Sequence, residues 1–383
     1  MWGNAVRIAR ISGFDIKIDA SWLVIAALIV WSLSTSYFPT VLPDATSGTR
    51  VTLAVIAMLG LFASLILHEL SHAEVARRFD LHISGITLFL FGGVAELKSE
   101  PADGTSEFWI AIAGPIASLC IAATFWTGAW ITEIAGMPRT VVLLLSYLAS
   151  LNLILAVFNL LPAFPMDGGR VLRAWLWTRS GDLLGATRRA THVSAIFAYG
   201  FMALGLYAVF SGAVGVGLWP ILIGLFVLAT SRAALVQLES KTALEGRTVA
   251  DLMTRDPWTA HPDHTLAHLV DDIFLEHGIS FAPVVENGAL LGYVDFQLVR
   301  GVDRTLWPRT TVNDIFEPAA PENTVAPTVP GAKLMSVITK TGRRKFLVVD
   351  KRHLVGVITL SDIFAYLGVF RELSGPSHHG KAD

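Results

Sequence analysis

The sequence is poor in cysteine and in charge. It holds one cysteine, Cys120, and Asp, Glu, Lys and Arg together make up 16% of its 383 residues. A single thiol cannot close an intramolecular disulfide and offers a metal no second sulfur; within an apolar run it reads as a small hydrophobe. Soluble globular domains carry about 25% charged residues, so the low charge excludes a simple soluble enzyme. The formal net charge of −2 supplies no basic surplus, which leaves no electrostatic case for a nucleic-acid partner.

The shortage of charge is uneven. Residues 1–240 carry 28 charged side chains, whereas residues 241–383 carry 32 in barely half the length. The first part reads as a membrane domain and the second as an ordinary soluble appendage. Six apolar stretches approach the roughly 20 residues that cross a bilayer: Ser21–Leu42, Val51–Ala76, Phe108–Ile131, Thr140–Leu161, Val193–Phe210 and Val216–Leu235. The first has a short core, Trp22 to Trp31, like that of a signal peptide. Its flank of Arg7, Arg10, Asp15, Lys17 and Asp19 is long and mixed in sign, and no small-residue cleavage site follows, so it is read as a retained helix. With the N-terminus inside, twelve Lys and Arg residues of the connections face the cytoplasm and only Arg50 and Arg139 lie outside. Six spans then return the C-terminal part to the cytoplasm. Between the second and third spans, Leu81–Leu97 reads as strands around the Gly92-Gly93 turn, either a substrate-facing hairpin or an interfacial loop.

The chemistry concentrates in His68-Glu69-Leu70-Ser71-His72, at the end of an apolar helical run. Positions i and i+4 share a helix face, so both imidazoles can bind one metal ion, with Glu69 beside it to take a proton from water. Three ionisable groups within five residues at membrane depth are costly and point to function. A catalytic zinc keeps three protein ligands and an open position. The third ligand is sought in Asn159 to Arg170, where Pro162, Pro165, Gly168 and Gly169 break the helix and present Asp167. Pairing with Arg170, or capping a helix that starts near Gly168, are the other roles open to Asp167.

With both motifs in view, the chain resembles the site-2 protease family of intramembrane metallopeptidases. His68, Glu69 and His72 match its H-E-x-x-H, and Asn159 through Gly168 matches its N-x-x-P-x-x-P-x-D-G, with Gly169-Arg170 following. Gly92-Gly93 fits the family's glycine-rich hairpin, Gly114-Pro115 its A-G-P step, and Ser150-Leu-Asn152 precedes the second motif as in many relatives. The resemblance covers residues 7–235 and implies a multi-pass α-helical membrane fold with about six spans and a small membrane-associated β-hairpin. It implies one zinc ion held by His68, His72 and Asp167, with Glu69 as general base. It implies that Asn159 lies at the site and helps to bind substrate or stabilise the oxyanion; a structural hydrogen bond to freed backbone is the alternative for this residue. Asn152 is a candidate for holding the bundle together. The activity implied is endopeptidase cleavage within or near transmembrane segments, in a lipid bilayer, of membrane-protein substrates.

Residues beyond 241 carry an internal duplication with a spacing of about 60 residues. Val249–Met253, Ala282–Glu286 and Gly292–Asp295 find counterparts in Val312–Phe316, Phe346–Asp350 and Gly356–Asp362. This resembles a tandem pair of CBS domains, an α/β module at about 246–302 and 308–370, with residues 372–383 as a disordered tail. The resemblance implies an adenine-nucleotide site (ATP or AMP) in which Thr359 meets phosphate and Asp362 meets ribose, and a homodimer through the module. Asp295 and Leu298 replace the corresponding threonine and acid in the first copy, so at most one nucleotide site is expected; Arg343, Arg344 and Lys345 are further candidates for phosphate. The remaining histidines, His261, His264 and His268 among them, show no ligand spacing. The domains expected are therefore an intramembrane metalloprotease domain, 1–240, and a cytoplasmic CBS module, 241–371. The competing functional class is a CBS-gated metal or ion transporter with His68, His72 and Asp167 as its transit site.

Overall fold

A computed structural model describes residues 5–373, apart from 82, 90–91, 98–100 and 352. The chain divides into two units, Met1–Leu235 and Val236–Asp383, five residues before the boundary expected from charge.

The first unit begins with strands β1 (Val6–Ile11) and β2 (Phe14–Ile18), joined by a turn in which Ser12 and Gly13 both have positive φ. The first apolar helix, α1 (Ser21–Ser32), continues through a wider turn into α2 (Phe38–Val41). Then come α3 (Ser47–Arg78), β3 (Ile83–Phe89), β4 (Gly92–Leu97), α4 (Gly104–Ile134), α5 (Arg139–Asn159), the shorter α6 (Asp167–Ser180), α7 (Leu183–Phe210) and α8 (Val214–Leu244). Among the described residues, six helical stretches are long and apolar enough to cross a membrane, and they fall on the six expected from the sequence: Ser21–Val41, Ser47–Arg78, Gly104–Ile134, Arg139–Asn159, Leu183–Phe210 and Val214–Leu244. Thr46 caps α3 and Asp103 caps α4, each accepting the backbone N–H three residues on.

The expected hairpin exists as β3 and β4, but Gly92 and Gly93 belong to β4, paired with Phe89 and Leu88, instead of forming the turn; Leu90 and Phe91 lie outside the described residues. It is larger than expected. β2 runs parallel to β3, which makes a four-stranded sheet β1-β2-β3-β4 out of what read as a charged flank and a hairpin. The alternation in Phe14-Asp15-Ile16-Lys17-Ile18 explains it: Phe14 and Ile16 are buried with Ala73 and Ile86, and Phe62, Leu65 and Leu70 of α3 pack around them. That core holds the sheet against the helix that carries the two histidines.

In the second unit the two copies exchange strands. It contains α9 (Val249–Leu252), β5 (Thr254–Arg255), α10 (Leu266–His268), β6 (Phe281–Glu286), β7 (Ala289–Asp295), α11 (Phe296–Arg300), β8 (Glu317–Pro318), β9 (Thr324–Val325), α12 (Gly331–Thr341), β10 (Lys345–Asp350), β11 (His353–Thr359) and α13 (Leu360–Leu373). One sheet is β5-β11-β10-β9 and the other β6-β7-β8, so the strand leading into each copy joins the other copy's sheet. Phe281 and Tyr293 of the first copy and Leu347 and Val357 of the second form a shared core. Because α13 runs to Leu373, residues 372–373 are helical rather than part of the expected tail; residues 374–383, including His378 and His379, lie outside the described residues, as do His82 and Lys98.

Candidate active site

α3 places His68 and His72 one turn apart on a face turned away from the surroundings, 2% and 5% exposed. The outer nitrogen of each ring is engaged: His68 Nδ1 with Ser118 Oγ at 2.8 Å and His72 Nδ1 with the Ile110 carbonyl at 2.6 Å, both on α4. A carbonyl only accepts, so His72 Nδ1 carries the proton and Nε2 presents a lone pair. The two Nε2 atoms are 3.3 Å apart, and Asp167 Oδ2 lies 3.2 Å from one and 3.1 Å from the other. Gly114 of α4 leaves the room for this triangle, since a β-carbon there would meet Nε2 of both histidines, that of His68 at 2.6 Å.

The donor set fits a zinc ion. Ligand atoms 2.0–2.1 Å from a tetrahedral zinc stand roughly 3.3 Å from one another, close to the edges observed. Acceptor atoms facing one another in a buried site repel unless a cation lies among them, and the outer-nitrogen partners are those that orient ligating imidazoles. Among the described residues, His68, His72 and Asp167 are the one group of three such side chains whose ligand atoms all lie within 4.8 Å of one another.

Asp167 reaches this position because the chain leaves the bundle at Asn159 and turns back. The following loop cannot continue α5 through Pro162 and Pro165, and Phe164 N–H donates to Ser194 Oγ of α7 at 2.9 Å. Asp167 is then the first residue of α6. Gly168 and Gly169 let that first turn lie on the backbone of the loop: side chains there would strike the Leu160 and Ala163 main chain. The helix is held by Glu107 of α4, fully buried, which accepts from Arg173 Nε at 2.9 and 3.1 Å and from Arg173 Nη2. Of the roles open to Asp167, the geometry favours the histidines: Arg170 lies 3.8 Å from Glu107 instead, and Asp167 makes no cap. Glu107 and Ser118 escaped the sequence reading. A lone Glu within an apolar helix was the signal for the first; nothing marked the second.

His68, Glu69, His72, Asp167, Asn159 and Arg170 line one cavity of about 640 Å³. Apart from Thr230 its other walls are apolar, among them Leu65, Phe89, Leu155, Phe158 and Phe226. The side chains of Glu69 and Asn159 make no hydrogen bond among the described residues, and that of Asn159 therefore bonds no freed backbone there. Asn152 is fully buried and donates to Ser64 Oγ of α3 at 3.0 Å and to the Leu148 carbonyl at 2.9 Å, tying α5 to α3.

In the second unit, Thr359 N–H and Oγ–H both donate to Asp362 Oδ2, at 2.8 and 2.9 Å, at the start of α13. Two of the three basic phosphate candidates are already paired, Arg343 with Glu317 at 2.9 Å and Lys345 with Asp295 at 2.7 Å; Arg344 makes no such pair among the described residues. Asp295 also caps α11 through Gln297 N–H and Leu298 N–H. The histidines read as scattered are partly clustered: ring centroids of His261 and His264 are 5.8 Å apart, those of His264 and His268 4.4 Å, and His268 Nδ1 bonds Asp272 at 2.5 Å. The linear spacing hid this because the Pro262-Asp263 turn precedes the helix that carries the third ring.

A family profile described as Peptidase family M50 matches residues 56–135 and 130–204, and one described as CBS domain matches 249–297 and 306–369. The chain is 35% identical over 376 residues to a protein named zinc metalloprotease Rip3 of Mycobacterium tuberculosis, covering 96% of this chain and 94% of that protein. The chain belongs to Peptidase family M50. Zinc metalloprotease MJ0392 of Methanocaldococcus jannaschii is 30% identical over 367 residues, covering 95% of this chain and 96% of the other. A solved structure of the site-2 protease from the same archaeon is 30% identical, covers 60% of this chain and 94% of its own, and has a TM-score of 0.41. This M50 member is an integral membrane zinc metalloprotease of the site-2 protease type with a CBS-domain pair.

Proposed function

We propose that the chain is an intramembrane zinc endopeptidase that cleaves transmembrane segments of membrane proteins, and that His68, His72 and Asp167 hold its metal. The observation that carries this reading is the meeting of these three side chains on the wall of the cavity that Glu69 and Asn159 also line. A zinc ion bound there supplies Lewis acidity, polarising the scissile carbonyl and making water acidic enough to attack near neutral pH. Glu69 is the general base: its carboxylate takes a proton from the attacking water and passes it to the amine nitrogen as the C–N bond breaks. Asn159 offers a free amide N–H towards the carbonyl oxygen as charge develops on it, a contribution of about 3 kcal/mol in comparable sites. The apolar walls exclude bulk water from an apolar peptide segment.

A transmembrane helix keeps its amides in internal hydrogen bonds, so the substrate must unwind locally before it is cut. Glycine in the substrate's span, worth about 1 kcal/mol of helix weakening per residue, speeds cleavage. The Lys and Arg asymmetry supports a cytoplasmic N-terminus and CBS module. Adenine nucleotide at Thr359 and Asp362, with a dimer through the module, is the form of control we propose, checked by ATP titration of the cleavage rate.

The deciding experiment is Glu69→Gln in proteoliposomes holding a single-span substrate. Cleavage is lost while bound zinc, measured by atomic absorption, stays at one per chain. Undiminished cleavage, or zinc flux without cleavage in the unaltered protein, refutes the reading.

A further inference from the structure

Arg170 is the one cation among the residues that line the active-site cavity. Its side chain is 22% exposed and forms a long ion pair with Glu107, Nε to Oε1 at 3.8 Å, beyond hydrogen-bond distance. Glu107 has no need of it, since Arg173 already engages both carboxylate oxygens. Arg170 makes no hydrogen bond among the described residues, so the five N–H donors of its guanidinium are unspent. Glu69 lines the same cavity, and no ion pair within 4.0 Å joins it to Arg170 among the described residues. The two side chains thus stand apart in a space walled largely by Leu65, Leu155 and Phe158.

Hydrolysis of a peptide bond fills such a space with a new charge. The neutral amide becomes a carboxylate on the acyl side, and that carboxylate arrives in the cavity that Glu69 also lines. In apolar surroundings an unpaired carboxylate is strongly disfavoured, and like charges add to the cost. A guanidinium with free donors matches a carboxylate in shape and charge.

We infer that Arg170 is the receptor for the C-terminal carboxylate of the acyl-side cleavage product, and for the scissile carbonyl that becomes it. Arg173 holds α6 in place; Arg170, one turn from the metal-facing Asp167, meets the substrate. This assignment rests on the reading of the cavity as a peptidase site.

The test is direct binding to the purified, zinc-loaded full chain in lipid nanodiscs. Two ligands are compared: an N-acetylated apolar tripeptide with a free C-terminal carboxylate, and the same tripeptide as its C-terminal amide. The acid-to-amide affinity ratio falls about tenfold or more in Arg170→Gln, as expected for loss of a charge-assisted pair. It falls by less in Arg170→Lys, which keeps the charge but not the fork. A ratio unchanged in both variants overturns the assignment, as does equal loss of both peptides from a variant that melts like the unaltered protein. Where Arg170→Gln does not fold, Arg170→Lys decides: an unchanged ratio overturns the assignment and a lowered one upholds it. Cleavage that survives Glu69→Gln refutes the peptidase reading whatever this ratio does. An unchanged ratio beside Glu69-dependent cleavage refutes only the role of Arg170.

Discussion

Gly114 faces His72 so closely that the helix bearing the glycine has no room for a β-carbon in front of the imidazole Nε2. The ring cannot retreat, because its other nitrogen is bonded to the Ile110 carbonyl on the same helix. We expect Gly114→Ala to displace at least one imidazole from the ligand triangle and to weaken zinc binding by tenfold or more, on the scale seen when the setting of a ligand is disturbed. Competition with a chromogenic chelator measures it.

Ser118 engages His68 Nδ1 and is fully buried. Ser118→Ala leaves the imidazole without its orienting partner. The expected loss is about 10- to 100-fold in metal affinity or activity, while the thermal transition in detergent moves little. Normal zinc retention under a chelator series contradicts this.

Glu107→Gln removes the fully buried charge that holds Arg173, and Arg173→Met leaves Glu107 buried without that partner. Breaking a buried pair from one side costs about 3–5 kcal/mol. Both variants lower the melting temperature, and the double variant Glu107→Gln with Arg173→Met is less unstable than the two single losses combined. Additive losses rule out the pair as the clamp on α6.

In the second unit, the Tyr293 hydroxyl donates to Glu317 at 2.6 Å and Arg343 pairs with the same carboxylate. The tyrosine hydrogen bond, then Arg343, hold the Glu317 carboxyl below the usual carboxylate range. A depressed pKa stabilises the fold above the unfolded value, near pH 4.3, and the benefit is lost as pH falls through the folded value. Acid therefore lowers the melting temperature of the chain in that window, and Glu317→Gln flattens this part of the profile. An unaltered acid limb in the variant shows that the carboxylate has no such part.

Most of the fold was legible because its signals are local. Apolar runs long enough for a bilayer mark the six helices, and short continuous apolar runs mark the repeated strands. The strand β2 is equally legible in the alternation of Phe14, Ile16 and Ile18 with Asp15 and Lys17, but its partner β3 lies about 70 residues away and no local pattern names it. The exchange of β5 and β8 between the CBS copies left no trace, because two-residue strands carry no pattern.

By itself the sequence determined the spans, the H-E-x-x-H helix, the interrupted segment with Asp167 and the duplicated tail. Each is written in residues a few positions apart, where helix and strand periods and the stiffness of proline act directly. Tertiary structure alone decided that Asp167 meets the histidines and Arg170 does not, that Ser118 and Ile110 orient the rings, and that Glu107 secures α6. Those contacts join residues 38 to 99 positions apart. Partners so distant are chosen by how helices pack, and packing is a property of faces that no short stretch of chain contains.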